Sequence, residues 1–221
     1  MADTAIFDVD GTLVDSNYQH ALAWFRAFRS VGITLPIWQL HRATGMGGDM
    51  LVAHVAGDEV EAKYGDELRE AWKHELEPMI AEIQPFDGAR ELLQAVKRRG
   101  FRLVMASSGS EQQVDIFLDL FGAKEFADAW TTASDAEQSK PAPDLLQAAL
   151  SRVDGHSGAM VGDSIWDCAA ANKLAMPTIT VLTGGFSDTE LRDAGAVSVF
   201  GSLRELTDKL DDTPLAAPTG S

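Results

Sequence analysis

One cysteine, Cys168, stands in a chain of 221 residues. It cannot close an intrachain disulfide or supply a multi-cysteine metal site, and this usage fits a reducing compartment. Basic residues are scarce as well: 18 Lys and Arg face 34 Asp and Glu, a formal charge of −16. A field of that sign repels nucleic acid and anionic membrane surfaces, so neither is an expected partner. A well-solvated surface explains the charge, since charged residues make up an ordinary 24% of the chain; adaptation to high salt is the alternative. No stretch approaches the ~18 apolar residues that a membrane span needs. The N-terminus MADTAIFDVD has no basic region followed by an apolar one, and a cytoplasmic location is the expectation. Absent motifs narrow the field further. GMGGDM lacks the third glycine of GxGxxG, no GxxxxGK(S/T) occurs, the serines of ASSGS lack the flanks of GxSxG, and HExxH is missing. Dinucleotide binding, a P-loop, a serine hydrolase and zinc proteolysis all lose support.

What is present is a chain 45% hydrophobic, long enough to bury a sizeable core as one domain with an insertion or as two small domains. Short apolar bursts at TAIFDVD near the start, FRLVMA (101–106), GAMVGD (158–163), PTITVL (177–182) and AVSVF (196–200) read as buried parallel strands. Helical stretches separate them. GARELLQAVKRRG carries Lys97, Arg98 and Arg99 in its last turn and ends on Gly100. Capping-box spacing marks four more helix starts, at Ser16 with Gln19, Ser110 with Gln113, Ser187 with Glu190 and Ser202 with Glu205. This alternation predicts an α/β doubly wound parallel sheet, with ligands beyond the carboxyl ends of its strands. From Asn17 to Gln84 the pattern changes: YQHALAWFRAF and DELREAWKHELEPMI repeat at helical spacing without a convincing strand. A helical insertion over 17–84 would thus split a sheet domain formed by 1–16 and 85–221. The tail DDTPLAAPTGS reads as frayed.

Four strand ends carry polar groups that a core would not choose. In FDVDGTLVDS, Asp8 and Asp10 crowd two carboxylates together, a repulsion that a shared divalent cation removes. Oxygen ligands without nearby Cys or His favour magnesium over zinc; a plain acidic turn at Asp10-Gly11 is the alternative. In MASSGS, Ser107, Ser108 and Gly109 lead to a helix opening at Ser110, where hydroxyls and free N–H groups make either an anion site or simple caps. In SKPAPDLL, Lys140 precedes two prolines at a helix start and is either a site cation or a solvated lysine. In VGDSIWD, Asp163 follows a strand directly, while Asp167 also suits an acidic capping box with Ser164. All four lie at one edge of the expected sheet. Attack of a carboxylate on a phosphate dianion brings like charges together, so such a site needs cations, and magnesium with Lys140 would supply them.

In order, DVDGT, the serine after LVMA, the lysine of KPAPD and GDSIWD resemble the four motifs of the haloacid dehalogenase superfamily. The resemblance spans Asp8 to Asp167. It implies a Rossmann-like core with an inserted helical cap, which fits nearly the whole chain. It also implies that Asp8 is a nucleophile forming an aspartyl-phosphate and that Asp10 protonates the leaving oxygen and then activates water. Ser107 would hold the phosphoryl group, and Lys140 would steady nucleophile and phosphate. Asp8, the Asp10 main-chain carbonyl and Asp163 would ligate Mg2+, with Asp167 behind them.

Within that superfamily, Asp10 favours phosphoryl transfer over dehalogenation, and HRATGMGGDML offers no Schiff-base lysine of the phosphonate-cleaving kind. A phosphatase acting on a small phosphorylated metabolite, phosphoglycolate or a sugar phosphate, is the leading expectation. Sugar-phosphate mutases are the alternative, because His20 in VDSNYQHALAW stands where those enzymes have an acid–base histidine, or else is a helix residue shared with phosphatase relatives; against the mutase, TGMGG puts Thr44 and Gly48 where mutases carry basic residues. A binding protein that kept the fold without catalysis is the third reading. Arg42 is a candidate for a second anionic group of the substrate, or else a solvated helix residue. Gly45 to Gly48 would let backbone approach a ligand, or let helices pack closely. His41, His54, His74 and His156 read as surface or packing residues. Oligomeric state is not legible in the sequence.

Overall fold

A computed structural model describes residues 2–216. The chain begins with β1 (Thr4–Asp8) and passes into four helices, α1 (Asn17–Ser30), α2 (Ile37–Ala43), α3 (Gly48–Ala56) and α4 (Asp58–Leu76). It returns through α5 (Ala89–Arg98), β2 (Arg102–Ala106), α6 (Glu111–Leu120), β3 (Ala129–Thr131), α7 (Asp144–Arg152), β4 (Gly158–Gly162) and α8 (Ile165–Asn172). The last elements are β5 (Thr178–Val181), α9 (Asp188–Asp193), β6 (Ala196–Phe200) and α10 (Leu203–Asp208).

The strands form one parallel sheet in the order β3-β2-β1-β4-β5-β6. Its faces follow from the pleat, which turns alternate side chains of β1 to opposite sides. Ala5 and Phe7 join Leu92, Leu93 and Val96 of α5 and Phe117 of α6. Ile6 joins Leu145, Leu146 and Ala149 of α7 and Ala170 and Ala171 of α8. The chain runs outward from β1 in both directions, through β2 to one edge and through β4 to the other. The crevice at that switch lies between the ends of β1 and β4, where Asp8 and Asp163 stand.

The five expected strands are present; β3 is a sixth that the sequence did not reveal. Three residues, Ala129–Thr131, are too few to show a period, yet they pair in register with Val104–Ala106. Three of the expected caps form, with Ser110, Ser187 and Ser202 accepting from the N–H of Gln113, Glu190 and Glu205. Ser16 does not cap α1: its hydroxyl donates instead to the Asp10 carboxylate at 2.9 Å, a charged acceptor that outcompetes a backbone one.

Helices α1 to α4 bury their own cluster of Trp24, Phe28, Leu40, Leu51, Val52 and Leu68. The two strands of chain that connect this helical unit to the sheet run side by side: Asp15 N–H donates to Gln84 O at 2.9 Å, and Val14 bridges Pro85. The tail departs from its expectation of fraying. Residues 211–216 continue a short turn, Leu210–Asp212, and Leu215 is wholly buried in the core against α10; residues 217–221 lie outside the described residues. An apolar anchor at Leu215 outweighs the polar composition around it. Leu215→Ala is therefore expected to lower unfolding free energy by about 2–4 kcal/mol in urea titration, whereas Leu120→Ala, on an exposed face, stays within about 0.5 kcal/mol. Equal small effects would show that the tail does not stabilise the fold.

Candidate active site

β1 ends on Asp8, and the turn that follows brings Thr12 back against it. Thr12 Oγ1 lies 3.0 Å from Asp8 Oδ2 and 2.9 Å from Asp163 Oδ1, so one hydroxyl spans the gap between the two strand ends. Asn17, at the start of α1, donates to the other Asp163 oxygen at 3.0 Å. Gly11 makes the turn possible: its φ is +77°, and a Cβ there would fall 2.2 Å from the Asn17 side chain and 2.5 Å from Asp163 Oδ2. Neither Thr12 nor Asn17 was singled out by sequence reasoning. Their signal was available only as the threonine of DVDGT and the residue after Ser16.

Lys140 is not a solvated lysine. It is 1% exposed, with its ammonium bonded to Asp8 Oδ1 and to Asp167 Oδ1, the latter at 2.8 Å. Asp167 is also fully buried and completes the acidic capping box of α8, accepting from Ser164 N at 3.1 Å and Ser164 Oγ at 2.6 Å. The capping box takes one oxygen, and Lys140 takes the other. The geometry makes it an anchor for Lys140.

Asp10 faces the other way. Its Oδ1 accepts from Ser16 Oγ and lies 2.9 Å from His20 Nε2, and its Oδ2 accepts from Ser107 Oγ at 2.9 Å. Gln113 of α6 lies 3.2 Å behind His20 Nε2, a further neighbour not anticipated. Three donors thus surround the Asp10 carboxylate, two on Oδ1 and one on Oδ2.

These groups meet at a small cavity of about 50 Å³. Asp8, Asp10, His20, Ser108, Gly109 and Lys140 line its floor. Trp24, Leu51, Trp72 and the turn from Thr44 to Gly48 close it from the helical unit. Gly47 packs hard on the core, since a Cβ would fall 2.0 Å from Ser139 Oγ. A pocket of about 670 Å³ at the opposite end of the strands is larger, but no carboxylate lines it among the described residues. Arg42 is not brought to the cavity. Its guanidinium lies 3.7 Å over the Phe186 ring and pairs with Glu190, so it ties the helical unit to the core. His41 and His54 pack against Tyr18 and Trp166.

Residues 2–174 match the family of haloacid dehalogenase-like hydrolases. The chain belongs to that family. A solved hydrolase from Pseudomonas syringae is similar to it over 95% of this chain and 98% of its own, at 30% identity and a TM-score of 0.88. Validoxylamine A 7'-phosphate phosphatase of Streptomyces hygroscopicus subsp. limoneus is 28% identical over 94% of this chain and 96% of its own. A phosphoglycolate phosphatase of Rhodospirillum rubrum is 28% identical, covering 95% of this chain and 91% of its own.

In this haloacid dehalogenase-like hydrolase, three buried carboxylates, Asp8, Asp163 and Asp167, place one oxygen each within 4.8 Å of one another. One lysine cannot neutralise them all. Burial raises Asp8 well above the ordinary carboxylate range; Lys140 opposes the rise, while Asp167, Asp163 and Asp10 reinforce it. Burial, with Asp167 beside it, pushes Asp163 up to about 7, despite the donors Asn17 and Thr12. Lys140 moves against its burial, because Asp167 and Asp8 hold it charged. Burial works against Asp10 as well, yet His20 first, then Ser16 and Ser107, bring its carboxyl below the usual value. A hard divalent cation fits the uncompensated oxygens of Asp8 and Asp163, as it removes the repulsion that raises both.

The consequence for stability has a definite sign. Asp163 titrates at about 7 when folded and near 3.8 when free, so its protonated form supports the metal-free fold below that range, and the contribution is lost as pH rises through about 7. A cation competes with that proton. A divalent ion at about a hundred times its Kd at about pH 8 is expected to add about 2.7 kcal/mol there, or about 5–10 °C in Tm, and the same ion concentration is expected to add less at about pH 6, where the proton weakens its binding. A Tm indifferent to divalent ions at both pH values would remove the metal site.

Proposed function

We propose that the chain is a Mg2+-dependent phosphatase that hydrolyses a small phosphate monoester through an aspartyl-phosphate on Asp8. One observation carries this reading. Two aspartates, two positions apart, line the same cavity in opposite electrostatic settings, Asp8 beside a lysine and an acidic cluster, Asp10 among hydroxyl and imidazole donors. A nucleophile and a proton carrier need that division.

The phosphoryl group would sit over Asp8, held by Ser107, by Lys140 and by the N–H groups of the Ser108–Gly109 turn. An Asp8 oxygen attacks phosphorus as the ester P–O bond breaks, and the leaving oxygen takes a proton from Asp10. Asp10 is low in the free site because three donors surround it. A phosphate dianion nearby raises it, and Ser107 turning its O–H from Asp10 to a phosphoryl oxygen removes one of those donors. Water then attacks the acyl phosphate and gives its proton to Asp10, which releases phosphate and restores Asp8. Mg2+, held by Asp8, Asp163 and the Asp10 carbonyl, would neutralise phosphoryl oxygens and leave the phosphorus open to an anionic nucleophile. Asp167 keeps Lys140 in place. The helical unit acts as the cap, closing over bound substrate to exclude water.

A mutase is the second reading, favoured by the His20–Asp10 contact at 2.9 Å. A mutase must also hold a second phosphate while the sugar turns over, and the cap offers neutral Thr44 and Gly48 at the cavity. The relatives named phosphatases add weight to hydrolysis.

Phosphate release from a panel of monoesters with Mg2+ tests the reading. Wild type is expected to release phosphate. Asp8→Asn is expected to reduce kcat by about 10⁴-fold or more, and Asp10→Asn by about 10²–10⁴-fold. Conversion of glucose 1-phosphate to an isomer without release would establish the mutase instead.

A further inference from the structure

The wall that the cap presents to Asp8 and Asp10 is aromatic and uncharged. Trp72 stacks on Trp24 with 5.3 Å between ring centroids and on His20 with 5.5 Å, so three flat rings stand together. The indole of Trp72 lines the cavity, and its Nε1 is buried without a hydrogen-bond partner. Ser108 Oγ, on the opposite side, is also buried and unpartnered. A buried donor without an acceptor is costly, and a bound molecule that supplies one relieves the cost. Both residues also line a cleft of about 1060 Å³ beside the cavity, so they stand where the two spaces adjoin.

Charge decides what kind of molecule that is. Among the described residues lining the cavity there is no arginine, and its lysine, Lys140, is bound to Asp8 and Asp167. His20 is engaged with Asp10. Arg69, behind Gly48, bonds Glu61, Asp66 and the Gly48 carbonyl, so two carboxylates already balance it. The first turn of α3 brings N–H donors to the cavity, and Asp49 in that turn offsets their positive field. A carboxylate or second phosphate on the leaving group would therefore be buried without a free countercharge, which is strongly unfavourable. Hydroxyls would instead meet donors that lack acceptors, and the C–H faces of a ring would lie on an indole.

We propose that the site selects a neutral, hydroxyl-bearing leaving group, that of a sugar or cyclitol phosphate, over one with a second anionic group. Trp72 makes the selection, its indole N–H donating to a hydroxyl oxygen of the leaving group. The assignment rests on the phosphatase reading and narrows its substrate class.

The test measures phosphate release with Mg2+ from methyl phosphate, phosphoglycolate, glucose 6-phosphate and inositol 1-phosphate, for wild type and for Trp72→Phe, which keeps a flat ring and removes the N–H. Wild type is expected to favour at least one of the two ring phosphates over phosphoglycolate by about tenfold or more in kcat/KM. In Trp72→Phe the preference for that ring phosphate over methyl phosphate is expected to fall about five- to tenfold, the size of one lost hydrogen bond, with the change in KM. A wild type that uses phosphoglycolate as well as or better than the ring phosphates overturns the inference and leaves the phosphatase reading intact. An unaltered preference in a folded Trp72→Phe overturns the role of Trp72. Should circular dichroism show that variant unfolded, the wild-type comparison decides alone. Release from none of the four substrates removes the phosphatase reading and this inference together.

Discussion

A single ammonium group, buried to 1% exposure, separates two carboxylates at the mouth of the sheet: Lys140 between Asp8 and Asp167. Without it, three acidic side chains within 4.8 Å would share a dry crevice. Desolvating one carboxylate is already costly, and removing a partner from a buried ion pair typically costs about 3–5 kcal/mol because the survivor is left uncompensated. The arrangement therefore needs every member. Asp167 is fixed by the Ser164 capping box, Lys140 is fixed by Asp167, and Asp8 receives what remains of the lysine's charge. An ordinary helix start thus determines where the Asp8 carboxylate is held.

The doubly wound order explains why these groups, spread over 160 positions of sequence, converge. Parallel strands put every carboxyl end on one edge, and the change of direction between β1 and β4 opens a crevice there. Thr12 and Asn17 reach across that crevice to Asp163, so the turn after β1 contributes to both sides. The same turn carries Asp10 towards the cap. Two aspartates separated by one residue thereby acquire different surroundings, one beside an ammonium and the other among hydroxyl and imidazole donors.

Legibility in the sequence followed the range of the interaction concerned. Strand bursts and helix periods are local, and five strands and the helical stretch over 17–84 could be read directly. Asp8, Asp10, Lys140, Asp163 and Ser107, which the structure brings together, stood out as candidates because each sits where a core would place an apolar residue, and because their order resembles a known family. What escaped depends on contacts distant in sequence. β3 is defined by its pairing with β2 and has only three residues of its own. Ser16 has the spacing of a cap, yet a carboxylate six positions away claims its hydroxyl. Arg42 has the look of an anion binder, but Glu190 lies 148 positions further along and takes its guanidinium. Thr12 acquires its bridging position only once β4 lies beside β1.

The enclosure of the cavity depends on weaker contacts than its floor does. Arg42 pairs with Glu190 at side-chain exposures of 31% and 46%, Trp166 Nε1 donates to Arg42 O at 3.0 Å, and Ser139 N donates to Asp49 at 3.0 Å. Exposed ion pairs contribute about 0–1 kcal/mol each, and single hydrogen bonds about 0.5–1.5 kcal/mol. The floor is the opposite case, a buried network in which one loss is several times larger. The helical unit has its own apolar cluster around Trp24 and Leu68 and joins the sheet through the paired connections at Val14–Asp15 and Gln84–Pro85, but its first helix also meets the floor, where Asn17 donates to Asp163 and His20 lies against Asp10. Separating the two units would break those exposed contacts and the α1 bonds to Asp10 and Asp163, and would leave Lys140 with Asp8 and Asp167.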